Sequence, residues 1–93
     1  MPFEYDFSEK LKKKVEKLVG KNRKRSEILH KKVLEIISSD KASIDRYKNL
    51  RYGMDDQKRV HIDKSFVLTF NVDKKRNFIL FLDFDRHDRI YGR

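Results

Sequence analysis

KRVHIDKSFVLTFNVDKKRNFILFLDFDRHDRIY, residues 58–91, is the stretch that decides the fold. Its apolar residues recur with a period of two, the spacing of half-buried strands. Val60 and Ile62 lie on one face of the first strand, Arg59 and His61 on the other. The connection Asp63-Lys64-Ser65 is tight but lacks the Asn-Gly pair of the commonest hairpin turn. Phe66, Leu68, Phe70 and Val72 then form one apolar face, with Val67, Thr69 and Asn71 opposite. A charged hairpin loop over residues 73–77 leads into 78–84, the most apolar strand. Apolar on both faces, it is expected inside the sheet with a neighbour on each side. It runs directly into Asp83, Asp85, Arg86, His87, Asp88, Arg89 and Tyr91. A rigid strand is a good base from which to aim such reactive groups.

Upstream, Phe3, Tyr5 and Phe7 alternate with Glu4 and Asp6 as a short strand. Ser8 suits a helix N-cap, with Glu9 in the first turn where a negative charge matches the helix dipole. Leu11, Val15, Leu18 and Val19 follow at helical spacing, and Gly20 reads as the stop. A second helix is expected from about Asn22 to Ser38, with a stripe of Leu29, Val33, Ile36 and Ile37 broadened by Ile28 and Leu34. The short connection makes the two helices an antiparallel hairpin. Residues 41–57 read as a connector with Tyr47, Leu50 and Tyr52 as docking points and a turn at Gly53 and Asp55-Asp56. It is long enough to imply a helical turn or a function of its own. The predicted architecture is α+β, in the order β-α-α-β-β-β. A short N-terminal strand precedes a helical hairpin packed on one face of a small antiparallel sheet, as one domain over 1–93.

The net charge of +9, from 24 Lys and Arg against 15 Asp and Glu, favours a polyanionic partner, most simply nucleic acid. Eleven of the basic residues lie between Lys10 and Lys32, against two Glu, giving a basic helical surface that can bind phosphates or simply stay solvated. Zero Cys excludes disulfides, thiolate metal sites and cysteine nucleophiles, and fits a reducing cytoplasm. No signal peptide or membrane span is expected, since no apolar run approaches the roughly 20 residues a span needs. Glycine-rich phosphate loops are absent. Asp83, Asp85 and Asp88 resemble an acidic metal cluster, but nearby arginines and helical lysines offer them partners, so no metal or other cofactor is expected. His30, inside a lysine-rich helix, reads as exposed and inert.

The order of elements, with YKNLR (47–51), KRVHI (58–62), SFVLTFNVD (65–73) and FILFLDFDRHDRIY (78–91), resembles the RelE/ParE superfamily of type II toxins. The resemblance spans the chain, with its specific residues between 47 and 91. It implies a cytoplasmic toxin silenced by a cognate antitoxin in a heteromer. Its RelE branch implies metal-independent cleavage of messenger RNA, in the ribosomal A site, by attack of a ribose 2′-hydroxyl on the adjacent phosphate. Such a reaction needs a base, cations for the phosphorane and a proton donor for the leaving oxygen. By the same resemblance Arg59, His61, Arg86, His87 and Tyr91 are the catalytic candidates. Lys10, Lys13, Lys14, Lys17, Lys21, Arg25, Lys58 and Lys64 are the candidate RNA phosphate contacts. One departure stands out. Many members carry an Arg within the third strand, where this chain has Val67. Arg59, Lys64 or Arg86 would have to replace that cation. The alternatives are a ParE-like poison of DNA gyrase, a degenerate toxin that only binds its antitoxin, or a generic RNA-binding domain.

Overall fold

The computed structural model describes residues 2–51, 53 and 56–91. The elements are β1 (Glu4–Phe7), α1 (Glu9–Lys21), α2 (Arg23–Ile37), a 3-10 turn (Ser43–Arg46), β2 (Lys48–Asn49), β3 (Gln57–Ile62), β4 (Phe66–Asp73), β5 (Phe78–Arg86) and α3 (His87–Ile90). The strands form one sheet in the order β1-β5-β4-β3-β2. β5 is thus internal, as its two apolar faces require. All pairs are antiparallel except β1 with β5, which run parallel because the helical hairpin between β1 and the later strands returns the chain to its starting end. The sheet is therefore mixed at this one edge.

Ser8 performs two tasks. Its Oγ accepts the Leu11 N–H at 3.1 Å to cap α1 and donates to the Leu82 carbonyl at 2.6 Å. A cap of this kind contributes about 1 kcal/mol. Leu82 lies at a β-bulge, since Thr69 pairs with Asp83 while Phe70 pairs with Phe81. Gly20 does not end α1, which continues to Lys21. Asn22 is both its C-cap and the N-cap of α2, accepting the Arg25 N–H at 3.0 Å. Asn22 supplies the stop that the glycine does not: its backbone leaves the helical path at φ −147° while its N–H bonds the Leu18 carbonyl at 2.8 Å.

The core lies between the helical hairpin and one face of the sheet. Leu11, Leu29, Val33 and Ile36 meet Ile62, Leu68, Phe70, Ile79, Phe81 and Phe84, all buried. Val19 and Leu34, expected in the apolar stripes, are exposed. The connector contains the helical turn and the extra strand β2; Tyr47 docks in the core, while Tyr52 and Asp55 lie outside the described residues. No helix among the described residues is long and apolar enough to cross a membrane.

Candidate active site

The face of the sheet turned away from α1 and α2 carries the alternate residues of β3, β4 and β5. Cross-strand pairing sets them in two rows, Arg59–Thr69–Asp83 and His61–Val67–Asp85. After Arg86 the chain turns into α3, whose first residue is tied down by the His87 N–H bonding the Ser65 carbonyl at 2.8 Å. Arg51, from the connector, holds the other end by donating to the Ile90 carbonyl at 3.5 Å.

This places His87 beside His61, with ring centroids 5.8 Å apart and planes 17° from parallel. Tyr91 packs on His87 at 4.5 Å, and the Arg59 guanidinium lies 5.7 Å from the Tyr91 ring centroid. Four of the five catalytic candidates therefore converge from two regions remote in sequence. Arg86 is not among them. It pairs with Phe66 across the sheet and lies 5.6 Å from that ring, on the helix side.

Two buried polar atoms mark the cluster. The Arg59 Nε and the Tyr91 hydroxyl have no hydrogen-bond partner, and among the described residues only Asn71 Oδ1 shares that condition. An unsatisfied buried donor costs about 1–3 kcal/mol. Two such donors beside a pair of imidazoles suit a site that receives an oxygen-rich ligand.

The neighbouring carboxylates are ionised and occupied. Lys14 Nζ lies 2.6 Å from Asp83 and 2.9 Å from Asp85, and Lys10 reaches Asp83 at 3.2 Å. Burial raises the pKa of both acids, but hydrogen bonds from these lysines and from backbone N–H groups outweigh it and leave both below the usual carboxylate range. Burial likewise lowers Lys14, and its bonds to the two acids more than restore it. Asp88 is exposed, 3.9 Å from His87 Nδ1. Among the described residues no group of three or more His, Asp or Glu is arranged to hold a metal ion.

The other basic candidates divide. Lys13, Lys17, Lys21 and Lys64 are exposed. Lys10 and Lys14 are engaged with Asp83 and Asp85, and Arg25 bonds Asp63 at 3.2 Å and stacks on Phe66. Lys58 is a correction. It is only 3% exposed, on the helix side, donating to the Tyr47 carbonyl at 3.3 Å and to Asn49 Oδ1 at 3.0 Å, with Asp45 at 3.5 Å. It fastens the connector to the sheet and is not a surface phosphate contact. It also borders a cavity of about 710 Å³ with Asp45, Asn49, Asn71 and Lys74, away from the histidines. Lys58 and Lys74 there are already paired with Asp45, so the chemistry is better provided at the His–Tyr cluster. Val67 has no exposed surface, and α3 packs on its strand. The place of the strand arginine is taken by a buried valine between His61 and Asp85.

No family model matches the chain. A protein of Methanocaldococcus jannaschii assigned as toxin RelE4 is 43% identical over 91 residues, covering 98% of this chain and 93% of the relative. An uncharacterised protein of Methanosarcina mazei is 46% identical over 81 residues, covering 87% and 90%. The fold matches a double-arginine mutant of the E. coli toxin RelE in the free state with a TM-score of 0.76 at 23% identity, over 99% of this chain and 93% of that one. It matches the E. coli RelBE toxin–antitoxin complex at 0.72 and 24% identity, over 90% and 95%. With the helical hairpin, the mixed sheet and near-full-length similarity to RelE4 in agreement, the chain belongs to the RelE family of toxins.

Proposed function

We propose that this protein is the toxin of a toxin–antitoxin pair and acts by cleaving RNA, with ribosome-bound messenger RNA as its substrate. The observation that carries this reading is the convergence of Arg59, His61, His87 and Tyr91 on one face, with the Arg59 Nε and the Tyr91 hydroxyl buried and unpartnered. The two imidazoles can divide the proton transfers, one accepting the 2′-hydroxyl proton and the other protonating the departing 5′-oxygen. Arg59 supplies charge to the phosphorane, and one such preorganised donor contributes about 3–4 kcal/mol. Tyr91 donates its free hydroxyl to a phosphate oxygen or offers its ring to a base. Val67 contributes no charge, so the cationic work falls to Arg59.

The solved E. coli structure that pairs RelE with RelB supports a cognate antitoxin as partner. On the nuclease reading the protein acts in the cytoplasm, where translation occurs. The test is induction in cells followed by mapping of messenger RNA 5′ ends. New cuts within reading frames, absent in His87→Ala, support the reading. Growth arrest without cuts, together with inhibition of purified gyrase, would replace it with the gyrase-poison reading that Val67 favours. Inertness in both assays leaves a chain that only binds its antitoxin.

A further inference from the structure

On the helix side of the sheet, where β3 turns into β4, two guanidinium groups share one aromatic ring. The Arg25 guanidinium carbon lies 4.1 Å from the Phe66 centroid and that of Arg86 lies 5.6 Å from it. Phe84 stacks on Phe66 at 5.1 Å and 19°, so the platform is anchored in the core. Acidic compensation is partial: Asp63 takes one edge of the Arg25 guanidinium, and among the described residues no carboxylate engages that of Arg86. Asp63 Oδ2 accepts from Arg25 Nε at 3.3 Å and Nη2 at 3.2 Å. Asp85, next to Arg86, accepts only its backbone N–H, at 2.7 Å, and gives its other oxygen to Lys14.

The surroundings add more positive charge. The first turn of α2 holds Arg23, Lys24 and Arg25 with no acid, although cations are disfavoured at that end of a helix. Lys21 closes α1 and Lys64 is exposed beside Asp63. Guanidiniums gathered on a ring are fixed in orientation, and their planar forks match the two non-bridging oxygens of a phosphodiester. Arg86 and His87 are adjacent in the chain yet face opposite sides of the sheet. A polymer crossing this rim can meet both.

We propose that Arg25 and Arg86, set on Phe66, form an anchor for one phosphodiester of single-stranded RNA, outside the cleavage face. The proposal rests on the nuclease reading only for the choice of RNA as the polyanion. The probe is a fluorescein-labelled 2′-O-methyl RNA oligonucleotide, which cannot be cleaved through its 2′-oxygen. Binding is followed by anisotropy across a salt series for the full chain, Arg25→Ala, Arg86→Ala, Arg86→Gln, Arg86→Lys and the double alanine variant, each with a thermal melt. The slope of log affinity against log salt should become shallower by about 0.7 in the double variant, the value of one phosphate contact on a single strand. Each single variant should lose part of that, because the phosphate is shared. Arg86→Lys should retain the slope and bind more weakly, since an ammonium lacks the planar fork. An unchanged slope in Arg86→Ala and Arg86→Gln, with melting temperatures like the parent's, overturns the anchor. So does Arg86-dependent binding of an acidic peptide with RNA affinity unaltered, which would make the patch a protein contact. If cells show no cuts but the slope falls as stated, the anchor stands and the nuclease reading fails; with mapped cuts and an unchanged slope, the nuclease reading stands and the anchor fails.

Discussion

The two faces of the sheet are made from alternate residues of the same strands, yet they treat buried polar groups in opposite ways. On the helix side Lys58 is buried with three oxygens around its ammonium. One residue later and on the other face, Arg59 has a buried Nε with no partner, and Tyr91 a buried hydroxyl in the same state. Both situations remove a donor from water. Only the first offsets the desolvation within the fold, so the second is retained for something other than stability. Burial alone therefore does not tell the two cations apart; the hydrogen-bond partners do.

The sharpest way to break that comparison is His87→Ala. On the proposed nuclease reading, loss of one general acid or base should slow cleavage by about 10²- to 10⁴-fold, with melting temperature almost unchanged, measured by single-turnover cleavage and a thermal scan. A loss of activity that merely followed unfolding would erase the distinction between the faces. Phe81→Ala reverses the pattern. Phe81 is fully buried against Phe70 and Phe7, and its removal should cost about 3–5 kcal/mol in urea denaturation. Lys58→Ala should cost about 2 kcal/mol, because charged hydrogen bonds are lost and Asn49 and the Tyr47 carbonyl are each deprived of the ammonium donor. The salt dependence of its RNA binding should match the parent's. A shallower slope there would return Lys58 to the nucleic-acid surface.

The smallest effect is one of pH. Asp83 and Asp85 sit below the usual carboxylate range when folded, as burial is outweighed by lysine and backbone hydrogen bonds. Glu35 does too, chiefly through the hydrogen bond from Tyr47. Depressed folded values mean that the stability is present above about pH 4 and is lost as pH falls through them. Denaturation midpoints should drop on acidification below that point. Asp83→Asn with Asp85→Asn should flatten the acid limb, and an equally steep limb in that variant would show that these acids are not coupled to folding.

Much of this is legible in the chain. Period-two alternation from Val60 to Val72 tells which residues of β3 and β4 face the core, and Ser8 announces the start of α1. The site is half legible. Arg59 and His61 stand out as the polar face of a strand, and His87 and Tyr91 as proton carriers at a strand's end. Their meeting depends on cross-strand register and on the turn into α3, which spacing does not encode. Lys58 reads as a surface cation because its burial depends on the connector folding over it, and local pattern gives no sign of Tyr47 or Asn49 arriving there. The Phe66 platform is hidden for the same reason. Its two arginines come from α2 and β5, and only tertiary structure brings them to one ring.

The bulge at Leu82 acts on β5 as a shift of reading frame acts on a message. Before it, the odd-numbered residues Ile79 and Phe81 face the core; after it the even-numbered Phe84 does, while Asp83 and Asp85 look outward. One supernumerary residue thus lets a single strand be decoded as scaffold in its first half and as site border in its second. Were Leu82 instead taken into regular pairing opposite Thr69, the phase would run unbroken, turn both aspartates toward the helices, and deliver His87 and Tyr91 to the wrong side. Ser8, whose hydroxyl grips the Leu82 carbonyl, is in that sense the punctuation that keeps the frame.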